Sequence, residues 1–220
     1  MNRTLRGLTL AELLVVVAII GVLAGLVSPA ITSVVRAATR TSCASNLRQV
    51  GMAALMYSND FDGFLPAEGN AGIENPDRSP AWFFRLPSYV DRPDVRGRTV
   101  FQCAGWKFKG PHQFANASPK SFKWNSYLDD DGRPLHGRLS GTTDANEVLL
   151  MIDGVAGETG AGQWGHCFKT TVDDSRHRGA VNVLYLDGHL GQVNTPKDRN
   201  WSKATTLVWV SQDWAKPKNR

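Results

Sequence analysis

Arg6-Gly7-Leu8-Thr9-Leu10-Ala11-Glu12-Leu13-Leu14-Val15-Val16-Val17-Ala18-Ile19-Ile20-Gly21 opens the run that decides how the rest of the chain is read. Between Arg6 and Arg36 lie 29 residues, and Glu12 is the only ionisable one among them. A helix of about 20 apolar residues spans the hydrocarbon core of a bilayer. Arg3 and Arg6 stand in front of the run, as in a secretory signal peptide, but the apolar stretch of such a signal is only about 7–15 residues. The carboxylate of Glu12 just inside the run also opposes that reading. It opposes a plain membrane anchor too, because an acid within a membrane helix costs about 2.5–3.5 kcal/mol and normally has a partner. The sequence offers Glu12 no partner within its own helix.

Beyond Ser28 and Pro29 the helical pattern continues and turns amphipathic from Val34. Cys43, Leu47, Val50 and Ala54 fall on one stripe of a 3.6-residue period, with Arg36, Arg40, Asn46, Arg48 and Gln49 largely off it. Asn59-Asp60, Asp62-Gly63 and Pro66 end the pattern. The expectation is one helix from Leu8 to about Ser58, roughly 77 Å long at 1.5 Å per residue. Pro29, which removes one backbone hydrogen bond, should kink it.

The whole chain has 220 residues, 42% hydrophobic and 20% charged, enough apolar material for a core and too much for a disordered chain. A mean hydropathy of −0.26 argues against several membrane spans. The net charge of +5 is mildly basic, so no nucleic-acid partner is expected. After the helix the sequence reads as loops and short strands. Ala81–Val90 suits a short helix. Thr99–Cys103 and Ser121–Leu128 are strand candidates, Glu147–Ile152 is a clearer one, and Gly154–Gly165 reads as a glycine-rich loop. Ala180–Leu186, Asp187-Gly188 and His189–Val193 read as a hairpin. The fold class that follows is α+β: a long N-terminal helix packed on a small antiparallel sheet.

Residues 6–21 resemble the class III signal of type IV pilins and type II secretion pseudopilins. The resemblance implies cleavage by a prepilin peptidase between Gly7 and Leu8 and methylation of the new amine, with Leu8 standing where the family usually has Phe. Glu12 becomes the fifth mature residue, the position whose carboxylate pairs in that family with the N-terminal ammonium of a neighbouring subunit. Pro29 becomes the twenty-second, where many pilins carry a kinking proline. The implied organisation is a leader at 1–7, a transmembrane or filament-core helix at 8–35, and a pilin-like globular domain at 36–220 that includes the second half of the helix. The implied location is the inner membrane, single-pass, with a cytoplasmic N-terminus and a periplasmic or extracellular globular domain.

A second resemblance lies further along. His177, nine residues, then Asp187-Gly188 is similar to the H-x9-DG ending of a group of pseudopilin-like proteins. Cys43-Ala44-Ser45-Asn46-Leu47-Arg48-Gln49-Val50-Gly51, Phe101-Gln102-Cys103 and Asn125-Ser126-Tyr127 match that group as well. It departs from the group's pattern at Ala104, where a proline is common.

Candidate sites are few. His177, Asp187 and His189 supply ligands of the kind zinc or iron takes. The seven extended residues of the strand that ends at the turn would separate its two ends by roughly 23 Å, so a structural hydrogen bond from His177 to backbone is the preferred reading. Asp129 and Asp131, in Asp129-Asp130-Asp131-Gly132, are candidate calcium ligands. Their spacing is not that of an EF-hand, and a solvated turn is preferred. No phosphate loop, nucleophile elbow or C-x-x-C is present, so neither an enzyme nor a required cofactor is expected. Cys43, on the apolar stripe, and Cys103, after the apolar Val100-Phe101, are the favoured disulfide in an oxidising compartment. A Cys103–Cys167 bridge and a reduced Cys43 in the core remain alternatives. The function expected is a non-enzymatic subunit of a type II secretion pseudopilus or type IV pilus-like filament. Its partners would be the prepilin peptidase, other subunits and an inner-membrane assembly platform. The alternative is a membrane-anchored minor pseudopilin that binds cargo or polysaccharide.

Overall fold

The computed structural model describes residues 9–67, 81–90, 100–106, 120–128, 139, 142–154, 166–177 and 179–209, with backbone alone at 27–30 and 166. Helix α1 runs over Leu10–Asp60 without interruption, including the backbone at Pro29. It starts and ends two residues later than the sequence suggests. The chain divides into two units, Met1–Thr39 and Arg40–Arg220.

In the first unit the described part is the apolar stretch of α1. Its Leu13, Val17, Ile20, Leu23 and Leu26 side chains are all exposed. The helix holds a window of mean hydropathy 2.8, long and apolar enough by composition to cross a membrane. Exposed apolar surface on this scale marks a membrane or protein interaction site.

In the second unit Arg40–Asp60 is amphipathic, and Cys43, Leu47, Val50 and Ala54 are fully buried. The helix ends where Asp62 and Gly63 take positive φ (52° and 84°) and the Gly63 N–H donates to the Ser58 carbonyl. A short helix α2 (Trp82–Arg85) follows and continues as a 3₁₀ turn over Leu86–Tyr89. The sheet has five strands: β1 (Phe122–Asn125), β2 (Leu149–Asp153), β3 (His166–Cys167), β4 (Ala180–Tyr185) and β5 (Leu190–Asn194). Their order is β3-β1-β2-β4-β5, antiparallel throughout except for the two-residue β3, which lies parallel to β1. The arrangement is the expected α+β class.

β2 is buried along its whole length, and β4 along all but Tyr185. The reason is that the sheet is covered on both faces. One core gathers Cys43, Leu47, Val50 and Ala54 of α1 with Trp82, Phe101, Trp124, Leu150 and Leu184. The second gathers Leu149, Ile152, Val181 and Val183 with Trp201, Leu207 and Trp209. Val208 bridges Val148 in parallel, and Asn125 Nδ2 donates to the carbonyls of Leu149 and Trp209, both at 2.7 Å. All five tryptophans among the described residues are buried.

Two readings change. Residues 100–106 form turns, not a strand. They are held by side chains: Asn46 Nδ2 donates to the Gln102 carbonyl at 2.9 Å and Ser121 Oγ accepts the Cys103 N–H. The β4–β5 loop is also not the two-residue turn that Asp-Gly suggests. The Gly188 N–H donates to the Tyr185 carbonyl, Tyr185 and His189 close the ladder, and only Gly188 in the loop has positive φ, 86°. That is a three-residue loop, a type I turn followed by a left-handed glycine.

Candidate functional site

At the start of α1, Thr9 and Glu12 bind each other. The Thr9 N–H and Oγ1–H donate to Glu12 Oε2 at 2.8 and 2.9 Å, and the Glu12 N–H donates back to Thr9 Oγ1 at 3.3 Å. This is a capping box, Thr-x-x-Glu, which satisfies backbone donors that a helix start leaves open. Glu12 therefore has a partner within its own helix, contrary to the expectation above. The spacing Thr9-Leu10-Ala11-Glu12 carried that signal in the sequence. Gly7 and Leu8, the residues flanking the expected cut, lie outside the described residues.

In the second unit three of the segments similar to the H-x9-DG group, those holding Cys43, Cys103 and His177, meet where α1 packs on the sheet. A disulfide joins Cys43 of α1 to Cys103, with Cα atoms 4.6 Å apart. Closing a loop of 60 residues, a bridge of this kind stabilises by about 2–4 kcal/mol. Cys167 is free and buried, and burial pushes its thiol pKa up to about 12, so it is inert as a nucleophile. His177 sits in a turn before β4, its Nε2 3.5 Å from Cys103 Sγ and 3.4 Å from Asp153 Oδ2. The imidazole thus faces side chains where a backbone partner was expected. Burial holds its pKa below the ordinary value; Asp153 pulls the other way, while Arg176 and Arg40 add to the fall.

Asp153 and Arg176 escaped sequence reasoning. Asp153 ends β2 fully buried; its Oδ2 accepts the Asn182 N–H at 2.9 Å and its Oδ1 lies 3.4 Å from Arg176 NH1. Burial raises its carboxyl pKa against the opposing pull of Arg176 and His177. Arg176 also donates to Asp173 Oδ2 and to the carbonyls of Ser121 and Gly154. Its guanidinium ties the ends of β1 and β2 to the turn that carries His177.

The Asp187-Gly188 turn lies elsewhere. Asp187 Oδ1 accepts the His189 N–H at 3.0 Å and meets the ring Nδ1 at 2.6 Å, and that ring stacks on Tyr185. His177 is not part of this pair, so His177, Asp187 and His189 do not form one ligand set. Gly188 instead packs on α1: a Cβ there would come 2.7 Å from Leu55 Cδ1. Gly51 likewise leaves room for Leu184, whose Cδ1 would stand 2.7 Å from an added Cβ. His177 and Asp187-Gly188 thus fix the two ends of β4 to the helix side of the fold. Asp129 and Asp131 lie outside the described residues.

Residues 2–28 match the family described as the prokaryotic N-terminal methylation motif. No curated protein and no solved structure matches the chain. The motif points to a type IV pilin-like or pseudopilin subunit, and with the exposed apolar helix it fits a membrane-anchored protein. It also implies processing by a prepilin peptidase and assembly with other pilin subunits.

Proposed function

We propose that the chain is a non-enzymatic subunit of a type II secretion pseudopilus or type IV pilus-like filament. It is cut between Gly7 and Leu8, methylated at Leu8, held in the inner membrane by its apolar helix, and assembled through that helix with its globular unit outside. The observation that carries the reading is the methylation motif over residues 2–28, within which α1 begins and keeps its side chains exposed from Leu10 to Leu26. Such a surface needs lipid before assembly and neighbouring helices after it. Pro29 is the place where this helix would bend on entering a filament.

The capping box makes the role of Glu12 separable. Glutamine at the third helical position caps as glutamate does, so Glu12→Gln keeps the bonds to Thr9 and removes only the charge. Glu12→Gln should be inserted and processed with a methylated Leu8, yet be absent from purified filaments. Thr9→Ala should keep the charge, weaken the cap by about 0.5–2 kcal/mol and still assemble. N-terminal mass spectrometry of membrane and filament fractions reads both. Normal incorporation of Glu12→Gln would assign Glu12 to capping alone, and an intact Met1 would remove the processing.

A further inference from the structure

We propose that the point where Cys43 and Cys103 are joined is also a metal site: once the disulfide is reduced, the two thiolates and His177 Nε2 bind a thiophilic divalent cation of the zinc type. The three ligand atoms lie within 4.8 Å of one another, and all three residues are buried. They come from three separate parts of the second unit: α1, the 100–106 turns and the turn before β4. Nothing in local sequence spacing draws them together.

The sulfur–nitrogen distance fits tetrahedral coordination. With Zn–S of about 2.3 Å and Zn–N of about 2.0–2.1 Å, the sulfur–nitrogen edge of a tetrahedron is about 3.6 Å. Cys103 Sγ and His177 Nε2 stand 3.5 Å apart. Asp153 Oδ2 stands 3.4 Å from the same Nε2 but outside the group of three ligand atoms, so it neighbours the site rather than completing it. Both neighbours of the imidazole therefore meet one nitrogen. A single Nε2–H serves only one of them well. Arg176, 3.4 Å from Asp153, offsets the negative charge that two thiolates and a carboxylate bring.

The chemistry closes without further components. A dithiol reductant transfers two electrons and two protons to the Cys43–Cys103 bond, giving two thiols and the reductant's own disulfide. The cation then replaces the two thiol protons, which leave to solvent. The same two positions of α1 and the 100–106 turns are thus cross-linked in either redox state, by sulfur when oxidised and by metal when reduced.

The test uses the full chain in detergent, reduced with a phosphine that leaves no competing thiol, and titrated with Co²⁺. The expected result is one equivalent bound, with thiolate-to-cobalt charge transfer and intense tetrahedral d–d bands, displaced by Zn²⁺ and absent from the oxidised chain. Cys167→Ser should bind unchanged. His177→Ala should weaken binding by more than the about 10–100-fold that loss of an outer partner costs. His177→Cys keeps a ligand in place and should retain one equivalent with stronger charge transfer, which decides the matter if the alanine variant does not fold. The proposal is overturned if the reduced chain takes up no stoichiometric Co²⁺ or shows only pale octahedral bands. It is overturned equally if neither His177 variant alters the spectrum.

Discussion

Arg176→Met should lower the stability of the Arg40–Arg220 unit by about 3–5 kcal/mol, the cost of stripping one partner from a buried ion pair. In a chain of this size that lowers the melting temperature by roughly 10 °C. The side chains of Arg176 and Asp153 are 4% and 0% exposed, so water does not replace the lost guanidinium. The carbonyls of Ser121 and Gly154 lose a donor in the same step. The loss should depend on pH. Burial already raises the Asp153 pKa in the folded protein. A raised folded value means that the contribution of Asp153 is fully present below its unfolded pKa, about 3.9, and is lost as pH rises through the folded value. Without Arg176 the folded value climbs further, so the deficit of the variant should grow from acid to neutral pH. Adding Asp153→Asn should recover part of it at neutral pH. Thermal unfolding of the three chains at two pH values measures all of this, and a deficit that does not change with pH would refute the ion-pair account.

Trp124→Ala should cost about 3–5 kcal/mol, the range for a large aromatic removed from a packed core. Trp124 is 1% exposed in the middle of β1, and its ring stacks on Trp82 with centroids 5.9 Å apart and planes 15° from parallel. Phe101 meets the same Trp82 ring edge-on at 5.5 Å. Removing Trp124 opens a void between α2, the 100–106 turns and the sheet, and those turns have no strand pairing to keep their shape. The comparison is Phe61→Ala, on an exposed ring after α1, which should change stability by only about 0.5 kcal/mol. Urea unfolding of both variants checks the contrast; equal losses would mean that the aromatic stack is not the centre of the core.

The parts of the fold that were legible in the sequence are those with a local signal. The stripe Cys43, Leu47, Val50, Ala54 predicts the buried face of α1 because helical period and burial coincide there. Asp187-Gly188 between two apolar runs predicts the β4–β5 hairpin, although not its three-residue loop, closed by the Gly188 N–H on the Tyr185 carbonyl. Val100-Phe101 misled because its burial comes from tertiary contacts: the turns at 100–106 are held by Cys43, Asn46 and Ser121, none of them nearby in sequence. β3 is two residues long and carries no pattern of its own. Asp153 was hidden at the end of an apolar strand, and Arg176 in the polar run Asp173-Asp174-Ser175-Arg176 that reads as a solvated turn. Their pairing depends on the sheet being assembled first. The capping box at Thr9 was readable but was masked by the stronger apolar signal around it.

The segment at 201–209 closes the second face of the sheet, and this has a bearing on the timing of folding. Asn125 reaches across 84 positions to hold the Trp209 carbonyl, and Leu149 takes its backbone partner from Val208. On the proposed function, a chain delivered across a membrane from its N-terminal side presents α1, β1, β2 and β4 before those residues arrive. Until then Leu149, Ile152, Val181 and Val183 stand uncovered as a flat apolar sheet, a surface that invites wrong pairing. If the chain is exported as the proposed function has it, completion of this domain is a late event in that export. A chain stalled or clipped ahead of residue 201 would be a prime client for whatever chaperones and proteases patrol that compartment.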